Sequence, residues 1–368
     1  MRKFLYITHL SGKRVNRFWI SSIEAAHQLG YEFHLACNMD EADHPDWEEE
    51  CNAYNIITHQ IDFNRNPLHP VNIHAAKQLR QLLNQESYDI VHCNTPVGGL
   101  IGRICGRRAG VPKVIYQAHG FHFWKGAPLI NWLIYYPIER CLAHLTDVLI
   151  TINKEDFERA KKFKANRIVY IPGVGIDMAT FCKNKEKGER LRRELGIPTS
   201  APILLSVGEL IKRKNHRVVI ETISAVDNAW YIICGNGPLM DEYKELAKKK
   251  GISDRIIFAG YRTDIQRFYD MADVFVIPSY QEGLPVSLME AMASGLVCVV
   301  SDIRGNIDLI SNNDYRFKPD DRKRLANIIN RVLNDKEIML IEGNRNQKEV
   351  AQYNMSTITE QLIRIYNS

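Results

Sequence analysis

At 368 residues, with 45% hydrophobic and 25% charged residues, the chain can bury two cores and shows no disordered or low-complexity stretch. A formal charge of +5, from 48 Lys+Arg against 43 Asp+Glu, is too mild for a nucleic-acid-binding face but suits phosphates or an anionic membrane surface. The eight cysteines show no C-x-x-C pair or zinc spacing, MRKFLYITHL does not read as a signal peptide, and no apolar run is long enough to span a membrane, so the expected location is cytoplasmic.

Along the first half, β-branched runs predict strands at 3–9, 32–38, 55–61, 89–94, 113–120, 147–153 and 167–173. The second half repeats the pattern at 202–208, 229–235, 255–260, 273–278 and 296–301. Amphipathic stretches at 14–29, 70–85, 98–109, 238–250 and 320–334 predict helices between them. Nearly continuous apolar strands alternating with helices mean parallel sheets covered on both faces. Two such series mean two doubly wound α/β domains, 1–176 and 187–353, with the junction in the polar stretch 174–186. A last helix, at about 354–366 in the segment 354–368, packs on its own domain or crosses back to the first. The segment 121–144 is rich in large apolar residues and carries Lys125 and Arg140 towards its ends. It reads as a core helix beyond residue 130, with Phe121, Phe123 and Trp124 as the exposed candidates for contact with a partner or a membrane interface.

In such sheets ligands bind outside the carboxyl ends of the strands, so the loops there carry function. The stretch PSYQEGLPVSLMEAMASG (278–295) follows a strand and puts Glu282 and Glu290 on either side of Gly283-Leu284-Pro285. Pro285 suits a first helical position, and the backbone N–H groups from Gly283 onwards make an anion site. Ser287, Glu290, Ala291 and Ser294 form a small, polar helix face beside an apolar stripe. A carboxylate rising from that face suits the paired hydroxyls of a ribose or hexose.

The run EGLPVSLMEAMASGLVCVVSD (282–302) resembles the E-x7-E signature of the retaining family 4 glycosyltransferases (group 1), whose GT-B fold sets two Rossmann-like domains facing across a cleft. The match includes both glutamates, Gly283, Pro285, Ser287, Ala291, Met292, Ala293 and Gly295. The resemblance implies that Glu290 binds the nucleotide ribose, Glu282 the donor sugar, and the N–H groups of Gly283, Leu284 and their neighbours the diphosphate. It also implies a diphosphate role for Lys214 in SVGELIKRKNH, where Glu209 replaces the family's arginine and Lys212 or Arg213 is the candidate substitute. Gly235, in CGNGPL, sits on the same rim, and Arg262 lies where the family grips the base. In the first domain, His119 in QAHGFHF matches the family's active-site histidine, with His122 as runner-up. Gly12 in THLSGKR holds the place of its glycine-rich loop.

What the resemblance implies is retaining transfer of a hexosyl or N-acetylhexosaminyl group from a nucleoside diphosphate donor, UDP-linked by default. The acceptor would be a hydroxyl of a glycan or polyprenyl-linked lipid, in capsule, exopolysaccharide or lipopolysaccharide synthesis, with peripheral contact at the inner face of the membrane. No Asp-x-Asp follows a strand, so the enzyme is expected to need neither metal nor other cofactor. Two readings stay open beside it: an epimerase or hydrolase of nucleotide sugars on the same fold, and a non-catalytic sugar-nucleotide-binding protein, suggested by Glu209.

Overall fold

The computed structural model describes residues 2–11, 14–40 and 46–368. The chain divides into two units, Met1–Gly175 with Met355–Ser368, and Ile176–Asn354. In the first unit the strands are β1 (Arg2–Leu10), β2 (Tyr31–Asn38), β3 (Ile56–Gln60), β4 (Ile90–Asn94), β5 (Lys113–Ala118), β6 (Val148–Thr151) and β7 (Arg167–Tyr170). Its helices α1 (Arg17–Gln28), α2 (Asp46–Ala53), α3 (Val71–Gln85), α4 (Pro96–Arg108), α5 (Leu129–Leu142) and α6 (Lys154–Ala160) alternate with them. The sheet is parallel, in the order β3-β2-β1-β4-β5-β6-β7.

The second unit has strands β8 (Ile203–Val207), β9 (Trp230–Cys234), β10 (Ile256–Gly260), β11 (Val274–Ile277), β12 (Val297–Ser301) and β13 (Arg316–Phe317). Its helices are α7 (Lys185–Glu194), α8 (His216–Thr222), α9 (Met240–Lys249), α10 (Ile265–Met271), α11 (Val286–Ala293), α12 (Asn306–Leu309), α13 (Arg322–Leu333) and α14 (Lys336–Val350). This sheet too is parallel, ordered β10-β9-β8-β11-β12-β13. All twelve runs read from the sequence become strands. The two residues of β13 are too few to leave a hydrophobic pattern.

Each sheet reverses its order once, between β1 and β4 and between β8 and β11. In doubly wound sheets such a reversal opens a crevice at the strand ends. The loops after β8 and β11 carry Lys214 and Glu282, and Asn94 is the last residue of β4. The topology thus sends the conspicuous polar residues of the sequence to the switch points.

The C-terminal helix α15 (Met355–Tyr366) belongs to the first unit and packs on α1. Its Tyr366 hydroxyl lies 2.9 Å from His92 Nδ1 beneath β4, and Lys113 Nζ donates to the carbonyls of Ile365 and Tyr366 at 3.2 and 3.0 Å. These bonds cap the helix end with a cation, where the macrodipole favours one. Burying Ile358, Leu362 and Ile365 with α1 and α2 covers one face of the first sheet. Helices α3, α4 and α5 cover the other.

On that second face the structure corrects two expectations. Phe121 and Phe123 are buried, 2% and 0% exposed, stacked on each other at 4.8 Å within the core. The helix beyond residue 130 is not a core helix. Its Leu129, Ile130, Leu133, Ile134 and Ile138 are exposed, and within α5 only Leu142 is buried. Trp132, Tyr135 and Tyr136 make its packing face instead, and the fully buried Arg103 of α4 binds Glu139 at 2.9 Å. A sequence apolar on nearly every side gives no periodicity from which to choose the inward face.

Candidate active site

In the second unit the loop after β8 and the loop after β11 meet through charge. Glu282 is buried, 6% exposed, yet its carboxylate is fully engaged. Lys214 Nζ donates to Oε1 at 2.7 Å, the Ser279 hydroxyl donates to the same oxygen at 2.7 Å, and Arg213 Nη1 reaches Oε2 at 3.3 Å. Arg213 also donates to the carbonyl of Gln281 at 3.0 Å. A buried carboxylate needs such partners, because leaving one unpaired costs several kcal/mol.

The loop geometry that delivers the two cations is itself specified. Asn215, with φ 51°, turns left-handed after the Lys212–Lys214 turn, a conformation asparagine tolerates better than most residues. Its side-chain amide donates to the carbonyls of Pro278 and Pro319 at 3.1 and 2.9 Å, and Tyr280 N–H donates to Arg213 at 2.9 Å. Lys212 is exposed on this turn.

Helix α11 starts one residue later than expected. Pro285 has extended ψ (117°) and caps the helix, and its carbonyl accepts from Leu288 and Met289. No side chain caps α11 and no acid stands in its first turn. Among the described residues, no acceptor takes the N–H groups of Gly283, Leu284 or Val286. Such a helix start leaves backbone donors open, the kind of arrangement that favours an anion.

Glu290 lies one turn along, buried at 6% exposure, and the Tyr269 hydroxyl donates to its Oε2 at 2.9 Å. Burial and the neighbouring carboxylate hold the Tyr269 phenol well above its ordinary value, so it stays a donor. The face of α11 carrying Glu290 and Ser294 is enclosed, whereas Val286 and Ser287 are half-buried.

Two glycines let backbone approach here. Gly235 has φ +152°, and a Cβ on it would lie 1.9 Å from the Gly208 carbonyl oxygen. Its N–H donates to Gly260 at 2.7 Å, so the loops after β8, β9 and β10 are drawn together at this residue. Gly305, with φ +82°, brings the loop after β12 against the Gly283 carbonyl, where a Cβ would lie 2.4 Å from the oxygen. The preceding Arg304 is buried and donates from Nε to the Glu282 carbonyl at 3.3 Å. Arg304, Ser279 and Tyr269 were not singled out from the sequence. Only SDIRGN after a strand could have drawn notice to Arg304.

Arg262 lies on the loop after edge strand β10. Its guanidinium forms two 2.8 Å bonds to Asp264. In the first unit, His119 follows β5 and is half-buried. Its Nε2 lies 2.9 Å from Asn94 Oδ1, while its enclosed Nδ1 has no partner among the described residues. Asn94 donates from Nδ2 to the His92 carbonyl at 3.3 Å, so its Oδ1 faces the imidazole and His119 must carry its proton on Nε2. Burial pushes the His119 pKa down to about 4, which keeps the ring neutral and leaves Nδ1 an acceptor. His122 stacks on Tyr135 at 4.6 Å, and Gly12 lies outside the described residues.

Comparison with known proteins gives this constellation its context. Residues 187–351 match the family described as Glycosyl transferases group 1, and residues 7–153 match Glycosyl transferase 4-like. EpsD of Bacillus subtilis (strain 168) is 33% identical over 352 residues, covering 93% of this chain and 90% of that one. The UDP-Gal:alpha-D-GlcNAc-diphosphoundecaprenol alpha-1,3-galactosyltransferase of Escherichia coli is 31% identical over 301 residues, 78% of this chain and 77% of its own. Among solved structures, Anabaena HepE in complex with UDP and glucose superposes with a TM-score of 0.83 over all of both chains at 18% identity. Sucrose-phosphate synthase from Thermosynechococcus elongatus superposes at 0.84 over 100% and 98% of the two chains, also at 18%. With two parallel, doubly wound units and a third of its residues identical to such a relative along nearly its whole length, the chain belongs to the group 1 glycosyltransferases and has the GT-B fold.

Proposed function

We propose that the protein transfers a sugar, with retention of anomeric configuration, from a UDP-linked donor to a hydroxyl of a polyprenyl-diphosphate-linked glycan in bacterial polysaccharide synthesis. The observation that carries the reading is the carboxylate of Glu282 clasped by Lys214, Arg213 and Ser279 beside the uncapped start of α11. Relatives named for a diphosphoundecaprenol-linked acceptor, and a neighbour solved with UDP, support the choice of partners.

In this reading the donor diphosphate takes over Lys214 and Arg213 from Glu282 and rests on the N–H groups of Gly283, Leu284 and Val286. Glu282, released from its cations, accepts from the hydroxyls of the donor sugar. Glu290 accepts from the ribose hydroxyls while Tyr269 holds its second oxygen. The bond between the sugar's anomeric carbon and the β-phosphate oxygen then breaks, and the acceptor oxygen bonds to that carbon on the same face. The acceptor's proton passes to the departing phosphate. Charge gathering there is met by groups already oriented before reaction, which is where electrostatic catalysis gains most. Neither a metal nor another cofactor is assigned a role. The chain would work at the membrane surface, where such acceptors reside. No described helix is long and apolar enough to cross a membrane.

Thermal unfolding with UDP, GDP and ADP in turn tests the donor site. At 100 times its dissociation constant a nucleotide adds about 2.7 kcal/mol of apparent stability. The expected result is a shift with UDP that Glu290→Ala abolishes. Stabilisation by none of the three would remove the donor site and with it the proposed transfer.

A further inference from the structure

A groove between α3 and α4 in the first unit has no part in the chemistry above. Its volume of about 550 Å³ falls in the range of small-molecule pockets. Leu68, Ile73, Val97, Leu100 and Ile104 line it, with Leu68 91% and Ile73 67% exposed. From Val97 to Arg108 it follows α4 for about 16 Å at 1.5 Å per residue. Lys77, Arg80 and Arg108, all exposed, edge the apolar trough, and no lining residue is acidic. The imbalance extends beyond the groove, because α3 and α4 together contain five Lys and Arg and no Asp or Glu. Both Arg80 and Arg108 act on the Cys105 thiol at the floor, opposing the rise that burial imposes on it.

The neighbouring α5, on the same side of the sheet, presents Leu129, Ile130, Leu133 and Ile134 to solvent. Its single acid, Glu139, is already bound by Arg103. Long cations interleaved with exposed apolar side chains, and no exposed acid on these three helices, describe a surface that lies at a bilayer interface. There the aliphatic stems stay in hydrocarbon while the charged ends reach phosphates.

We infer that the α3–α4 groove seats an anionic glycerophospholipid of the membrane surface, its phosphate held by Arg80 and Arg108 with Lys77, and an acyl chain lying between Ile73 and Leu100. This deepens the membrane contact proposed above and rests on it.

The test is co-sedimentation of the full chain with vesicles of phosphatidylcholine alone and of phosphatidylcholine mixed with phosphatidylglycerol. Wild type is expected to partition onto the mixed vesicles only. Arg80→Gln with Arg108→Gln should weaken that binding about 25-fold, about fivefold for each cation near an anionic surface. Leu68→Ser with Ile73→Ser should weaken it as well, whereas Leu340→Ser with Ile341→Ser, also exposed, on α14, should not. All variants should keep the thermal shift with UDP, which separates this test from that of the donor site. Soluble dihexanoylphosphatidylglycerol should stabilise wild type and not the Arg pair variant, and inorganic phosphate should not replace it. Vesicle binding untouched by the groove variants, equal binding to neutral vesicles, or stronger stabilisation by farnesyl phosphate would each overturn the lipid seat. Absence of all vesicle binding would overturn the membrane contact with it, leaving UDP binding as the separate measure of the transfer reading.

Discussion

The loops after β8 and β11 in one unit and after β4 and β5 in the other all leave the carboxyl ends of parallel strands at or next to a switch point, yet they handle charge in opposite ways. Around α11 two buried carboxyl groups are hydrogen-bonded by partners: Glu282 by Lys214, Arg213 and Ser279, Glu290 by Tyr269. Around His119 the polar groups are neutral. Asn94 fixes the tautomer and burial drives the proton off the imidazole. The first arrangement can exchange a carboxylate for another anion without leaving a cation bare. The second can accept a hydrogen bond from a hydroxyl but cannot neutralise an anion. In the proposed transfer, that contrast assigns the diphosphate to the α11 side and neutral hydroxyls to the His119 side.

The sharpest way to break the comparison is to disturb the exchange. Lys214→Ala should lower kcat/KM for transfer by about 10²–10³, the size seen when one preorganised charge-stabilising donor is lost. Glu282→Gln should lower transfer comparably, yet bind UDP at least as tightly, because Lys214 and Arg213 no longer have a carboxylate to leave. Calorimetric titration with UDP beside initial rates distinguishes the two. Parallel loss of UDP affinity and rate in Glu282→Gln would mean that the acid holds the loop in shape rather than balancing the cations.

At Glu290 the expected effect is smaller. Tyr269→Phe removes one donor from a buried carboxylate while sparing the carboxylate itself. Loss of a hydrogen bond to a charged group costs about 1.5–3 kcal/mol. The variant should therefore lose stability of that order in denaturant titration, and UDP affinity should fall about tenfold as Glu290 loses its fixed orientation. Unchanged affinity would detach Tyr269 from the nucleotide site.

These partners also mark where sequence reading ends. Strands announce themselves because fully covered parallel strands must be apolar throughout, and the E-x7-E run is long enough to be specific. Glu282, Glu290 and Lys214 could be named from that run and from the loop after β8. Ser279, Tyr269 and Arg304 could not, since a serine, a tyrosine inside a short helix and an arginine after a strand become site residues only through tertiary proximity. Asn94 is similar, being 25 positions from the histidine that it orients. The segment 121–144 was misread for a different reason. Phe121 and Phe123 are as apolar as Leu129 and Leu133, and composition alone cannot say which set packs under the helix and which meets solvent.

The neutral side can be tested by adding a charge. Asn94→Asp puts a carboxylate 2.9 Å-close in position to His119 Nε2, and a neighbouring opposite charge raises a pKa by 1–3 units. With His119 starting at about 4, the wild-type ring is neutral around pH 7 and gains its proton only as the pH falls towards that value. In the variant the ring should hold its proton to a higher pH, Nδ1 should become a donor, and transfer should gain an acid limb displaced upward by the same 1–3 units. Some stability should be lost too, because the new carboxylate faces the His92 carbonyl that Asn94 now donates to. A pH profile of kcat/KM identical to wild type would show that the state of His119 does not matter to transfer.

The smallest effect is expected at Arg262, whose guanidinium is already engaged by Asp264. Its two bonds to Asp264 lie on a pair that is about a third exposed, and such pairs contribute about 0–1 kcal/mol. Arg262→Ala should therefore leave the melting temperature nearly unchanged. If the base is gripped by backbone near Gly260, whose carbonyl already accepts from Gly235, UDP affinity should also change by less than about threefold, since no arginine contact is lost. A loss of tenfold or more, reversed by Arg262→Lys, would instead mean that the guanidinium leaves Asp264 to meet the nucleotide. The edge loop after β10 would then exchange partners on binding just as Lys214 and Arg213 are proposed to do, and the division between a charge-exchanging centre and a fixed periphery in the second unit would no longer hold.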